Sequence, residues 1–119
     1  MRCLKITFTT EVFDAGGYYD AANSKWTPPA GKVIVSVAVQ LTAGVTPSGT
    51  TLVLAIYKNG AAVVQDVVIA VGTTIQGRTV LIDDANGTDY YEGYCWANGA
   101  GDKTADGTTT ATFFQGSTL

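Results

Sequence analysis

Hydrophobic and polar positions alternate with a period of two along most of this chain, the pattern of strands rather than helices. The longest run is Val33 to Leu41. Val33, Val35, Val37, Val39 and Leu41 share one face, and Ile34, Ser36, Ala38 and Gln40 share the other. The lead-in Trp26-Thr27-Pro28-Pro29-Ala30-Gly31 excludes helix, because each proline removes a donor and holds its predecessor extended. Further strands are predicted at Arg2–Thr9, Thr51–Lys58, Ala62–Val71, Gly77–Asp83, Tyr90–Ala97 and Thr108–Gln115, with a short one at Tyr18–Tyr19. Asn59-Gly60 is the sharpest turn signal, since a type I′ hairpin needs φ > 0 at both central residues. Glu11–Ser24, Thr42–Thr50 and Asn98–Gly107 read as loops.

About eight strands with turn signals between them predict an all-β sandwich or barrel. The 119 residues show no repeat and no linker, so residues 1–119 are expected to form one domain. A strand with one face in water normally carries polar side chains there. The Val33–Leu41 strand does not: its even face is uncharged and mostly small. Phe113 and Phe114 are adjacent, so they must point to opposite sides of their sheet, one inward and one outward. Ile34, Ser36, Ala38 and the Phe113–Phe114 pair are therefore the expected self-association surface, with either phenylalanine able to supply the outward ring. On this reading Val37→Asp ruins the fold, whereas Ala38→Arg leaves it intact and breaks the assembly.

Composition sharpens this picture. Charged residues make up 14% of the chain, against about 25% in an average domain. Such a surface suits burial against partners. The net charge is −3 and the seven basic residues are scattered, so no nucleic-acid footprint is expected. No run reaches the ~18 apolar residues of a membrane span, and Met1-Arg2-Cys3-Leu4-Lys5 lacks a signal-peptide core. The expected setting is a cytoplasm of synthesis without an anchor. Cys3 and Cys95 are too few for a disulfide framework and read as two buried thiols or one bridge.

Candidate chemistry is sparse. The chain has no histidine, which removes the commonest general base and every Ser/His or Cys/His nucleophilic pair. Asp83, Asp84, Asn86 and Asp89 offer the hard oxygens calcium prefers, but lack the spacing of an EF-hand loop and read as a turn. Asp102 and Asp106 are weaker, with Lys103 between them. Asn86-Gly87-Thr88 matches a glycosylation acceptor and is also read as a turn. No enzyme activity, cofactor or metal is expected. The strand Tyr90–Ala97 is the best binding candidate. Tyr90, Glu92, Tyr94 and Trp96 share one face, and Tyr91, Gly93, Cys95 and Ala97 the other. A carboxylate is costly to bury, so the larger face is expected outside, where Tyr90, Tyr94 and Trp96 could stack on a sugar ring or a protein.

Several motifs, in order, carry a resemblance. Phe13-Asp14-Ala15-Gly16-Gly17-Tyr18-Tyr19-Asp20 followed by Trp26-Thr27-Pro28-Pro29-Ala30-Gly31 resembles the signature of the complement subcomponent-q globular head: an aromatic, a glycine, Tyr-Asn/Asp, then Phe-Thr-x-Pro and a glycine opening a long strand. Tyr57-Lys58-Asn59-Gly60 is similar to the family's basic-Asn-Gly hairpin. Asn86-Gly87-Thr88-Asp89 stands where the family has Gly-Asp before its penultimate strand. Phe113-Phe114-Gln115-Gly116-Ser117-Thr118-Leu119 is similar to its closing Thr-Phe-x-Gly-x-Leu. The chain departs from the pattern at Val33 and Val35, where aromatics are usual, at Trp26, which replaces a phenylalanine, and in lacking a collagen-like stalk.

The resemblance implies a jelly-roll sandwich of about eight to ten antiparallel strands, shared with the tumour necrosis factor superfamily and assembled as a tight homotrimer. It places the Val33–Leu41 strand and the closing strand in the sheet around the threefold axis. Domains of this type occur in secreted vertebrate ligands and, without stalks, in bacterial and bacteriophage structural proteins; this chain looks more like the second group. The expected function is a non-catalytic virion module: a capsid decoration, spike or fibre tip made in a host cytoplasm, contacting other particle proteins and a cell-surface glycan. The alternatives are a secreted ligand-like domain and a monomeric carbohydrate-binding module.

Overall fold

The structure, a computed structural model, describes residues 4–5, 13–14, 17–20, 22–43, 45, 49–98, 104–105 and 112–119. Eleven strands run through them: β1 Leu4–Lys5, β2 Phe13–Asp14, β3 Tyr19–Asp20, β4 Lys25–Trp26, β5 Gly31–Ala43, β6 Thr51–Lys58, β7 Ala61–Ile69, β8 Ile75–Ala85, β9 Tyr91–Ala97, β10 Thr104–Ala105 and β11 Phe113–Thr118. One sheet has the order β3-β4-β9-β6-β7, with β1 also pairing β9. The other is built on β5, which pairs β8 on one side and β11 and β10 on the other, with β2 beyond β11. Every pairing is antiparallel except β11 with β2, which is parallel.

Taken as principal strands one to eight, β2, β4, β5, β6, β7, β8, β9 and β11 fall in the orders 1-8-3-6 and 2-7-4-5. Every connection but the β6–β7 hairpin crosses between the sheets. That is the strand order of a jelly roll, the sandwich that the resemblance implies; the parallel β11–β2 pairing departs from the all-antiparallel arrangement expected.

The β6–β7 hairpin turns at Asn59 (φ 53°) and Gly60 (φ 85°), the type I′ geometry that Asn-Gly permits. A register shift between Ile56 and Tyr57 marks a bulge beside it.

Several boundaries differ from the sequence expectation. The strand expected at Gly77–Asp83 runs from Ile75 to Ala85, because the 13 residues of β5 hold it from Gly31↔Ala85 to Leu41↔Ile75. The closing strand, expected over Thr108–Gln115, continues to Thr118 through Gly116, which pairs with Val35. Lys25–Trp26, at the head of the proline lead-in and not predicted as a strand, pairs with β9; Phe13–Asp14 and Thr104–Ala105, read as loop, pair with β11 and β5. Two-residue strands leave no alternation to read. Residues 2–3 and 6–9 of the first expected strand, residues 108–111 of the last, Asp102 and Asp106 lie outside the described residues.

The core lies between the sheets. Val33, Val35, Val37, Val39 and Leu41 are buried, as their shared face requires, against Leu52, Leu54 and Ile56 of β6. Trp26 sits at the aromatic end of this core. Its ring lies 5.9 Å from that of Tyr91 and 6.2 Å from that of Phe114, and the Tyr19 ring packs tilted against Phe114 at 5.2 Å. Trp26 thus joins the two sheets: it belongs to one and packs on β11 of the other. The Pro28-Pro29 lead-in holds it there, with Pro28 itself fully buried.

Candidate interaction faces

The outer face of the β8-β5-β11 sheet is set by register. Cross-strand rows place Lys32 beside Asp84, Ile34 between Ile82 and Ser117, Ser36 between Val80 and Gln115, and Ala38 between Arg78 and Phe113. Among the described residues the centre of this face is uncharged, aliphatic on β8 and mixed with Ser36, Gln115 and Ser117 toward β11. Ile82 is 65% exposed and Val80 53%, with Ile34 half-buried between them. Ile34, Ser36, Gln115, Gly116 and Ser117 line a shallow groove between β5 and β11. Among the described residues of this face, charges flank that centre, at the Lys32–Asp84 row on one side and at Arg78 on the other. The Lys32 ammonium lies 3.0 Å from an Asp84 carboxylate oxygen, and the Arg78 guanidinium lies 5.2 Å from the Phe113 ring centre.

These rows redistribute the residues expected to self-associate. Ile34 and Ser36 lie on the outer face, partly open. Ala38 lies on it too, but the flanking Arg78 and Phe113 leave it fully covered within one chain. Phe113 is the outward ring of the pair, itself largely covered beside Arg78. Phe114 does not belong to this surface: its register partner is the core residue Val37, and its ring packs on Tyr19 and Trp26. Val80 and Ile82 were not singled out by sequence. The unbroken Val80-Leu81-Ile82 run was the available signal, because three consecutive apolar residues must put one or two on the solvent face.

On the other sheet, β9 turns as its composition implies. Tyr91, Gly93, Cys95 and Ala97 face the core, and Tyr90, Tyr94 and Trp96 are half-buried on the outer side. Cys95 is buried; Cys3 lies outside the described residues. Glu92 departs from expectation. It lies on the outer side yet is almost completely covered, in register with Tyr57. The three aromatics do not form one open platform. Tyr57 stacks on Tyr94 at 4.0 Å, and the Lys25 ammonium lies 5.0 Å from the Tyr90 ring centre. Trp96 instead continues a row through Val53 to Val67, which is 59% exposed. The aliphatic half of that row escaped sequence reading because β7 carries valines on both faces and shows no alternation.

The acidic turn is a latch. The Lys58 ammonium lies 2.7 Å from Asp83 Oδ2 and 3.5 Å from Asp89 Oδ2, and donates to the Asp84 carbonyl at 3.3 Å. The Tyr91 hydroxyl donates to Asp83 at 2.7 Å. Asn59 donates to Asp89 Oδ1 at 2.7 Å and accepts the Tyr90 N–H at 3.0 Å, tying the hairpin turn to the β8–β9 loop. Within that loop the Asn86 side chain accepts the N–H groups of Thr88 and Asp89. The Lys58 hydrogen bond holds Asp83 below the usual carboxylate range, and the Asn59 bond does the same for Asp89. Burial, then the bond to Asp83, pushes the Tyr91 phenol well above its ordinary value. Asp83 and Asp89, considered for calcium, are thus engaged by a lysine ammonium, and among the described residues no group of His, Cys, Asp and Glu is arranged for a metal ion.

No protein-family model matches this chain, and no curated protein matches it. The fold and faces define a jelly-roll sandwich with one sheet face whose described centre is uncharged and partly aliphatic, and one mixed aromatic–aliphatic face.

Proposed function

We propose that this protein is a non-catalytic structural or adhesion module that works as a homotrimer, with the outer face of the β8-β5-β11 sheet turned toward the threefold axis. The observation that carries this reading is the row Ile34–Ile82 with Val80 beside it, open and uncharged in a single chain. Residues near a symmetry axis meet their own copies, so a charge there would face like charges. Among the described residues this face keeps charge to either side of that row, with Lys32 paired to Asp84 and Arg78 lying over the Phe113 ring. Support also comes from topology: this sheet holds β5 and β11, the two strands that the resemblance to the complement subcomponent-q and tumour necrosis factor superfamily places around the axis.

The setting we propose is a virion, as a capsid decoration, spike or fibre tip made in a host cytoplasm. The opposite face, with Trp96 and the Tyr57–Tyr94 stack, is then the one available to particle proteins or to a surface glycan. The alternative reading is a secreted ligand-like or carbohydrate-binding module, in which that aromatic face acts in a monomer.

The test is Ile82→Glu. The side chain is mostly exposed in one chain, so the variant should fold with unchanged circular dichroism and run as a monomer where the wild type runs as a trimer. A variant that remains trimeric contradicts the assignment of this face.

A further inference from the structure

The most exposed strand is β7, and its chemistry is out of keeping with its position. It ends its sheet, and among the described residues β6 is its only hydrogen-bonded neighbour. It is nine residues long and rich in valine, with Val67 and Ile69 open to solvent. A long, apolar, unpaired edge is a template for strand addition.

Register shows which backbone groups are open. Ala70 donates its N–H to the Thr50 carbonyl, toward β6. Alternation then turns the N–H and C=O groups of Ile69, Val67 and Gln65 away from β6, to the free side. In the middle of that row the Val67 N–H is already engaged, donating to Asp66 Oδ1 at 3.0 Å.

Asp66 is itself misplaced by ordinary patterning. Its register partner is Leu54, a fully buried core residue, so Asp66 stands on the inward side of β7. Its neighbours on that side, Val64 and Val68, pack against the core. A third valine would complete the face. The carboxylate instead reaches the rim, remains exposed and occupies the central edge donor.

We propose that Asp66 is an edge guard: it keeps β7 from pairing with the β7 strand of a second copy. Antiparallel pairing of two β7 strands would break the Asp66–Val67 bond in each copy. It would also bring two carboxylates together beside the apolar rims formed by Val64 and Val68. The protein can then associate through a sheet face while growth through this edge stays closed. The proposal does not depend on which face forms the assembly.

The experiment compares Asp66→Val, Asp66→Glu and the double variant Asp66→Val with Gln65→Pro, each as the full chain. The readouts are thioflavin-T fluorescence and sedimentation over a concentration series, with circular dichroism checking that each variant folds. Asp66→Val should form extended β-rich assemblies at a concentration at least tenfold below that needed by the wild type. Asp66→Glu, which keeps the charge, should behave like the wild type. Proline at 65 removes an outward donor without touching the β6 ladder, so the double variant should lose the extended assemblies. The proposal is overturned if Asp66→Val keeps the wild-type sedimentation profile, if Asp66→Glu assembles as readily as Asp66→Val, or if the proline leaves the assembly unchanged.

Discussion

Gly116 of β11 lies flat against the Trp26 indole: a methyl group on it would sit 2.6 Å from Cε2 and 2.7 Å from Cδ2. No side chain fits in that space. Backbone of one sheet packs directly on the largest core residue of the other, which fixes how the two sheets close at this end. Gly116→Ala should therefore destabilise the fold by about 1–3 kcal/mol, the usual cost of overpacking. Denaturant unfolding measures this. In a Trp26→Phe background the cost of Gly116→Ala should shrink, because the smaller ring vacates the contact. Equal costs in both backgrounds would show that the indole is not the obstacle.

The Lys58 latch predicts how stability depends on pH. Asp83 and Asp89 have folded-state values below those of the unfolded chain, ordinarily about 3.9. Their stabilisation is complete above that value and is lost as pH falls below it. Tyr91 and Lys58 are both raised, so their contribution is complete below about 10 and is lost as pH climbs past it. Thermal melts from pH 2 to 11 should show a plateau with two falling arms. Asp83→Asn should flatten the acid arm, because it removes the carboxylate that Lys58 and Tyr91 share. An unchanged acid arm in that variant would contradict the latch.

The two faces of β5 predict different failures. Val37 is fully buried, and Val37→Asp leaves a charge in the core without a partner, at a cost of about 4 kcal/mol or more. Loss of soluble folded protein is the expected outcome. Ala38 is covered on the opposite face by Phe113 and Arg78. An arginine there must displace that stack, so Ala38→Arg should lower the melting temperature moderately as well as disrupt assembly. It does not act as the purely external change that the strand's alternation suggests. Measured together, the pair separates core from outer face: equal losses of stability would mean the faces are misassigned.

Much of this architecture was legible in the residues. The alternation from Val33 to Leu41 specified a core face that is buried at every expected position, and Asn59-Gly60 specified its turn. Those signals are local: side-chain period and backbone torsion act within a few residues. What escaped was set by partners distant in sequence. Ala38 reads as an exposed small residue until register brings Arg78 and Phe113 to either side of it. Glu92 reads as solvated until its neighbours cover it. Lys58, Asp83 and Asp89 lie on separate segments, and nothing in the one-dimensional pattern announces that a lysine fills the acidic turn. Phe113 and Phe114 were known to oppose each other; which pointed inward depended on Tyr19 and Trp26.

A trimer of this size differs threefold in solution mass from a single chain. Light scattering coupled to size exclusion, at tens of micromolar chain, should give about three times the 12.4 kDa of one chain. The value should hold on dilution to the low micromolar range. A mass of one chain at those concentrations would contradict the account and leave the Ile34–Ile82 row without its proposed role.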